Sequence, residues 1–190
     1  MALLSRNRRN FLFAAAAAAV VSLGAMRTPA AAQDRSLEYA VKATYLYKFA
    51  PFVEWPPRAF ASASAPFGIC LLGQDPFGAL LDRAVAGQTV AGRPIVVRRL
   101  RSLREDAGCQ VLYLGRSRGE PLGEVLRAVA GSPILTVTDS AEGVEGGIVQ
   151  FEVRDGRVRF ALDAAAADAN GLSLSSKLLG LAVRVRRTPG

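Results

Sequence analysis

Short apolar runs alternate with helical patterns over most of the chain. The run from Phe67 to Leu72 is bounded by Pro66 and Gly73, which predicts a buried strand. Asp75 and Pro76 then open a predicted helix, with Asp75 as its N-cap and Pro76 in its first turn. Strands that alternate with helices indicate a parallel sheet with helices on its faces. Further segments continue the alternation: strands at 95–97, 109–114 and 134–138, and a helix at 121–130.

A longer helix precedes this alternation. Residues 36–53 carry apolar side chains on two faces, and one of these stripes contains Leu37 and Val41. A helix that is apolar on two faces is buried on more than one side. Pro51 lies in its last turn, so we expect the helix to stop near Phe49.

The clearest local signal is a β-hairpin around Asp155-Gly156, which is a strong two-residue turn sequence. Alternation along the two strands places one apolar face against the core and one charged face outward. The cross-strand pair of Glu152 and Arg159 on the charged face is electrostatically favourable. We therefore predict that the hairpin forms one edge of the sheet. Folding about the turn pairs Val153 with Val158, Glu152 with Arg159, and Phe151 with Phe160.

Two more helices are predicted after the hairpin, at 164–169 and at 174–183, the second with Ser173 as its N-cap. The complete order of elements predicts an α/β fold. We expect a single-domain mixed β-sheet flanked by helices, with a C-terminal β-hairpin and helix. The sheet should be parallel in its first part and antiparallel at the hairpin.

The first 32 residues have the three parts of a signal peptide: a basic start, an apolar run and small residues at 30–32 for cleavage. Arg8 and Arg9, followed after one spacer by two apolar residues, are typical of a twin-arginine signal. An ordinary Sec signal is the alternative that stays open. We therefore predict a signal peptide over 1–32, a mature domain over 33–190 and localisation in the periplasm.

Removal of the predicted signal peptide lowers the net charge. The full chain has 24 Lys and Arg against 16 Asp and Glu, a formal charge of +8. Four arginines and no acidic residue precede residue 33, so the mature chain carries 20 basic and 16 acidic residues, or +4. This mild charge does not favour a nucleic acid as partner. The mature length, 190 minus 32 or 158 residues, fits one domain with one core.

The chain has two cysteines, Cys70 and Cys109, and no histidine. An even number of cysteines in an exported protein favours a disulfide, and two reduced core cysteines are the alternative. A bond that closes a loop of about 40 residues would contribute ~4 kcal/mol of stability. The absence of histidine removes Ser-His-Asp and Cys-His catalysis and histidine metal ligands. The sequence singles out no catalytic residue, and we expect no cofactor and no metal site.

Three polar segments that follow strands are candidates for ligand binding. The loop 73–76 and the arginine-containing loop 115–118 could each hold an anion. A capping loop and a solvated loop are the favoured interpretations of these two segments. Asp139, Glu142 and Glu145 are oxygen donors of the kind that Ca²⁺ prefers, but their spacing matches no known calcium loop. We interpret these three residues as an exposed acidic turn.

Several motifs stand in a fixed order along the mature chain. They are the helix Ala43 to Phe49 running into Phe52-Val53-Glu54-Trp55-Pro56, the strand leading into Gly73-Gln74-Asp75-Pro76-Phe77, the run Gly92-Arg93-Pro94-Ile95, and the C-terminal Arg157-Val158-Arg159-Phe160 and Ala169-Asn170-Gly171-Leu172-Ser173-Leu174. In their order and spacing they resemble the YfiR family over nearly all of the mature chain. Cys70 and Cys109 match one of the family's cysteine pairs. Asp163 stands where relatives usually have Asn, and a second cysteine pair is absent.

The resemblance implies a periplasmic regulator and not an enzyme. The best-known relative represses an inner-membrane diguanylate cyclase through its periplasmic sensor domain, is sequestered by an outer-membrane lipoprotein, and responds to redox state. We therefore expect the periplasmic domain of a diguanylate cyclase, or of another sensor such as a histidine kinase, as the partner. An outer-membrane lipoprotein is a further implied partner. Whether the protein forms a homodimer is left open by the sequence.

The charged face of the hairpin is the candidate partner interface. It comprises Glu152, Arg154, Arg157 and Arg159, because alternation directs these side chains away from the core. The acidic turn before the hairpin is a second exposed candidate. Two alternatives from other classes remain: a periplasmic small-molecule sensor or binding protein, and an enzyme that works without histidine.

Overall fold

The structure is a computed structural model that describes residues 30–103, 108–117 and 119–187. The predicted signal peptide, apart from its last three residues, lies outside these ranges together with Arg8 and Arg9 and stays a prediction. None of the helices described is both long and apolar enough to cross a membrane.

The described chain forms five helices and ten strands. The helices are α1 (Ala30–Lys48), α2 (Ala79–Val85), α3 (Leu122–Ala128), α4 (Ala164–Ala169) and α5 (Ser176–Leu181). The strands are β1 (Val53–Glu54), β2 (Phe67–Leu72), β3 (Thr89–Val90), β4 (Arg93–Leu100), β5 (Val111–Leu114), β6 (Leu135–Asp139), β7 (Val149–Arg154), β8 (Arg157–Asp163), β9 (Ser173–Leu174) and β10 (Arg184–Arg186).

Eight of these strands form one mixed sheet in the order β10-β8-β7-β6-β5-β2-β4-β3. In this order the neighbouring strands β4, β2, β5, β6 and β7 pair in parallel, and β7 pairs antiparallel with β8. The predicted mixed α/β fold, parallel first and antiparallel at the hairpin, is therefore confirmed. β1 and β9 pair separately and tie the segment after α1 to the chain before α5.

Helices cover both faces of the sheet. Phe67, Ile69 and Leu71 of β2 belong to a large core with side chains of α1 and α2. The alternate side chains, Cys70 and Leu72, join a smaller core with α3 on the opposite face. The sequence of a strand that is buried on both faces is a continuous apolar run. For this reason the sequence predicts β2 with its observed bounds.

The hairpin has the predicted register, with Val153 opposite Val158 and Phe151 opposite Phe160. The prediction that the hairpin forms the edge of the sheet is wrong. β10 pairs in parallel with β8 and is the outermost strand. The last predicted helix ends at residue 183, so β10 lies beyond every predicted element, because a three-residue strand carries too little periodicity to be recognised.

Two predicted helix starts are also corrected. Asp75 and Pro76 do not begin α2, which starts at Ala79 after Gly78. Asp75 instead accepts hydrogen bonds from backbone N–H groups within its own loop, so it caps a turn that precedes the helix. Ser173 lies in β9, and Ser175 is the N-cap of α5. The serines two residues apart offer the same local signal, and the pairing of β9 with β1 decides between them.

Candidate functional site

The predicted partner interface lies on the face of the hairpin turned away from α1. The ring of Tyr45 in α1 packs against Phe151 and Phe160, which fixes the inner face of the hairpin. Arg157 and Arg159 therefore lie on the outer face and are exposed. Neither takes part in a salt bridge within the described ranges. Their guanidinium groups are available to a partner.

Glu152 is buried, which corrects its prediction as an exposed interface residue. Its side chain is only 10 % exposed and forms salt bridges with Arg154 at 2.7 Å and Arg184 at 2.6 Å. Arg159 is opposite Glu152 in register, as predicted, but the described salt bridges of Glu152 go to the other two arginines. The physical reason is β10, which brings Arg184 across β8. Glu152 orients Arg154 and Arg184 on this face.

Two arginines of β10 belong to this face and were missed in the sequence. Arg184 bonds Glu152, and Arg186 forms an ion pair with Asp163. The alternation of arginine and apolar residues in Arg-Val-Arg was the available signal for a strand with a basic face. The basic face predicted from the hairpin alone therefore extends over a third strand, β10.

The predicted acidic turn does not form a single exposed site. Asp139 is the last residue of β6 and is completely buried, so its prediction as an exposed residue is wrong. Glu142 is half-buried, and Glu145 is exposed. The three carboxylates therefore have different surroundings and do not present one acidic surface.

Asp139 is part of a buried ionic cluster with α1. Its Oδ2 lies 2.6 Å from Nζ of Lys42, and both side chains are completely buried. Lys42 also forms an ion pair with Glu38 one helical turn earlier. Burial raises the pKa of Asp139, because desolvation outweighs the attraction of the Lys42 ammonium. The cluster fixes α1 to the carboxyl end of the sheet.

Hydrogen bonds extend this cluster to the neighbouring loops. The hydroxyl of Tyr39 donates to Oε1 of Glu142 at 2.5 Å, and Arg116 donates to the backbone oxygen of Glu142 at 2.9 Å. Burial and the hydrogen bond to Glu142 raise the pKa of Tyr39. Burial also raises the pKa of Tyr113, whose buried hydroxyl has no hydrogen-bond partner in the described structure. These contacts hold the loop after β6 rigidly beneath α1.

The carboxyl ends of β2 and β5 are where a parallel α/β sheet commonly binds a ligand. β2 pairs with β4 on one side and with β5 on the other, and the chain passes from β4 across β2 to reach β5. β2 and β5 therefore flank the topological switch point of the sheet. Here, however, the two loops bond to each other: N–H of Gln74 donates to the oxygen of Arg116 at 2.9 Å. A Cβ on Gly115 would lie 2.0 Å from the oxygen of Gln74. The crevice is closed by backbone.

These contacts also explain why neither loop is a built anion site. Asp75 accepts the N–H groups of Phe77 and Gly78 at 2.7 and 3.0 Å, so the loop's donors are used internally. The capping interpretation of the loop 73–76 is thus supported. In the second loop Arg116 bonds Glu142, and Arg118 lies outside the described residues.

A surface groove of about 650 Å³ lies beside the disulfide. Cys70 and Cys109 are joined as predicted, with their Cα atoms 5.6 Å apart. Residues of α3 and of the segments beside it line the groove, with aliphatic side chains and charges of both signs. Its lining includes the charged residues Arg58, Glu120 and Glu124 and the apolar residues Cys109, Val125, Val129 and Ile134.

A family profile described as YfiR/HmsC-like matches residues 39–183 of the chain. The chain therefore belongs to this family of regulators. The match begins at Tyr39 in the buried cluster, includes the disulfide and the hairpin, and ends at Val183 beside β10. No curated protein matches the chain.

Proposed function

We propose that this chain is a periplasmic regulatory protein that binds and represses the periplasmic sensor domain of an inner-membrane signalling protein. The family membership over residues 39–183 is the observation that carries this proposal. A diguanylate cyclase is the signalling protein that the family implies, so the output is the cyclic-di-GMP level. A binding function needs a rigid surface and no reacting group.

The hairpin supplies such a surface. It lies between β6 and β10 in the sheet, so both of its strands are paired on their outer sides. Arg157 and Arg159 present two guanidinium groups that the described salt bridges leave free. Arginine forks bind carboxylates with defined geometry. We propose that Arg154, Arg157 and Arg159 contact the partner, with Glu152 holding Arg154 in place.

Localisation in the periplasm is part of this proposal. The family and the disulfide both support an oxidising compartment. The test of the export route is the replacement of Arg8 and Arg9 by lysine, followed by fractionation. The twin-arginine route predicts precursor in the cytoplasm. Normal processing of this variant would exclude that route and leave Sec export as the explanation.

Deletion of the gene and membrane pull-down test the repressor function. Deletion should raise cyclic-di-GMP, and the tagged wild-type chain should capture an inner-membrane protein that has a cyclase or kinase domain. Complementation with the wild-type chain is the control. Unchanged cyclic-di-GMP, biofilm formation and kinase output after deletion would contradict repression.

The groove beside α3 supports a second candidate, a periplasmic small-molecule sensor. Its volume of about 650 Å³ is in the range of small-molecule pockets, and the combination of aliphatic side chains with Arg58 and Glu124 suits an amphipathic ligand carrying charge. A thermal-shift screen of small metabolites with wild type and Glu124→Gln tests this candidate. A ligand that stabilises wild type more than the variant would favour the sensor. If no ligand stabilises the protein, the sensor candidate is rejected and the repressor proposal remains.

A further inference from the structure

One side of the sheet carries exposed arginines on three neighbouring strands, β7, β8 and β10, turned away from α1. Strand register places these arginines together. On β7 and β8 one arginine is directly opposite another, and the arginines of β10 are opposite the residues that continue the same side of β8. We refer to this surface as the basic face, and its arginines are Arg154, Arg157, Arg159, Arg184 and Arg186.

Both carboxylate oxygens of Glu152 are engaged by arginines of this face. Oε1 accepts a hydrogen bond from Arg184 at 2.6 Å, and Oε2 accepts one from Arg154 at 2.8 Å. The bond to Arg184 crosses β8, which confirms that the arginine of β10 and the acid of β7 lie on the same side of the sheet. Arg159 is directly opposite Glu152 in register, yet each oxygen of that carboxylate already bonds another arginine.

The second acid of the basic face, Asp163, is also engaged through both oxygens. Its Oδ2 pairs with Arg186 of β10. Its Oδ1 accepts the N–H of Ala166 at 3.0 Å and so caps α4. The two acids of the face therefore bind Arg154, Arg184 and Arg186, and the described salt bridges include neither Arg157 nor Arg159.

Arg157 also faces a like charge. It is directly opposite Arg154, and like charges opposite each other in an antiparallel pair are destabilising. Asp155 in the turn takes part in none of the salt bridges of the described residues. An acid at position 157 would suit the stability of the hairpin better than an arginine. A local conflict of this kind is expected where a residue serves function.

We infer that Arg157 and Arg159 bind a pair of carboxylates on the regulated partner, which supplies the acceptors that the basic face lacks. This inference rests on the proposed function and names the chemistry of the partner's contact. The two arginines are two residues apart on one side of a strand, so their Cα atoms are about 7 Å apart. Acidic residues two positions apart on a strand, or four positions apart on a helix, match this spacing.

Two other occupants are less compatible with the same observations. An anionic lipid surface is typically bound through many lysines together with Trp or Phe. The outward side chains of β7, β8 and β10 include no lysine and no aromatic residue. An isologous dimer through this face would bring arginines against their own copies, so like charges would meet. Both occupants are outcomes of the test.

The test separates the shape of the guanidinium group from its charge. The probe is the purified periplasmic domain of the signalling protein that the wild-type chain captures from membranes. The double variant Arg157→Lys with Arg159→Lys keeps both charges and removes both forks, so binding should weaken by about tenfold or more. Replacement of both arginines by glutamate should weaken binding further, because like charges then meet the partner's carboxylates.

The matched control is the double variant Arg35→Lys with Arg83→Lys. Both arginines are exposed, lie on α1 and α2, and take part in none of the described salt bridges. This control should bind within about twofold of wild type, because it leaves the basic face unchanged. Thermal melting checks the fold of each variant. The double glutamate variant should melt no lower than wild type, because it places an acid opposite Arg154.

Three results would overturn the inference and leave the repressor function standing. One is binding of the probe by the double lysine variant within about twofold of wild type, since charge alone would then be sufficient. A second is phosphatidylglycerol vesicles that bind the wild type and the lysine variant alike but not the glutamate variant, which assigns the face to a lipid surface. The third is self-association of the mature protein in sedimentation that the glutamate variant loses, which assigns the face to a second copy.

Failure of the proposed function has a different signature. If the wild-type chain captures no membrane signalling protein, the proposed function is overturned, and this inference with it.

Discussion

Replacement of Lys42 by methionine removes the ammonium group that neutralises Asp139 in the interior of the fold. Both side chains are completely buried, and their charged atoms are 2.6 Å apart. Methionine is similar in volume, so the perturbation is the loss of charge and not a cavity. Glu38 is 24 % exposed and can be hydrated after the loss, whereas Asp139 cannot. The cost of the substitution therefore arises mainly at Asp139.

The magnitude follows from this burial. Removal of one partner of a buried ion pair costs about 3–5 kcal/mol. Asp139 keeps the hydrogen bond from N–H of Ala141 at 3.0 Å, so we expect about 3 kcal/mol for Lys42→Met. That is a large part of a typical total of about 5–15 kcal/mol. The double variant Lys42→Met with Asp139→Asn removes both charges and keeps the acceptor for Ala141. It should recover most of the loss, to within about 1 kcal/mol of wild type.

The pH dependence gives a second, independent signature. Burial already raises the pKa of Asp139, and loss of Lys42 raises it further. The folded variant therefore retains a proton that the unfolded chain, with an Asp pKa near about 3.9, releases. Its free energy of unfolding decreases as the pH rises through the raised folded pKa. The deficit of Lys42→Met should be largest at neutral pH and should shrink as the pH falls.

Urea denaturation of the mature domain, followed by tryptophan fluorescence at several pH values, measures both effects. Lys48→Met is the matched control: an exposed lysine of the same helix, near the ring of Tyr47, expected to cost less than about 0.5 kcal/mol. A cost below about 1 kcal/mol for Lys42→Met, or purely additive effects in the double variant, would refute the reasoning about the buried pair.

Three further predictions concern the surface, the disulfide and a helix cap. Reversal of Arg157 and Arg159 to glutamate should leave the melting temperature nearly unchanged and slow association with the partner by on the order of tenfold, because charge steers association; an unchanged association rate would contradict the proposed contact of these arginines with the partner. Thiol labelling of the denatured, unreduced protein should find no free thiol, and Cys70→Ser should cost about 2–5 kcal/mol; two labelled thiols would disprove the bond. Asp163→Ala should cost about 1 kcal/mol, because the carboxylate caps α4. Asp163→Asn keeps an acceptor and should cost clearly less, so equal costs measured by urea denaturation would exclude the cap.

Local elements were predictable because neighbouring residues specify them. The turn Asp155-Gly156 brings residues only a few positions apart into register, and the observed pairing of Phe151 with Phe160 is the predicted one. The strand Phe67–Leu72 is apolar throughout because helices cover both of its faces. The parallel arrangement followed from the alternation of strands and helices. In each case the signal lies within a short window of sequence.

The candidate site was only partly predictable. Arg157 and Arg159 were correctly expected to be exposed, because hairpin alternation is local. Glu152 was expected beside them and is buried, because Arg184 reaches it from a strand 32 residues further along the chain. No local sequence pattern around Glu152 or around Arg184 predicts that contact.

Local sequence was therefore sufficient to predict the long strands and the helices, the hairpin register and the cysteine pair, but not the short strands β1, β3, β9 and β10. Local periodicity, turn chemistry and the small number of cysteines specify the features that were predicted. Packing decided which charges are buried, because Lys42 and Asp139 are 97 residues apart and their exposure depends on how α1 lies on the sheet. It also decided where the sheet ends and which side chains meet around Phe160. Burial and proximity are properties of the packed chain, and no local pattern encodes them.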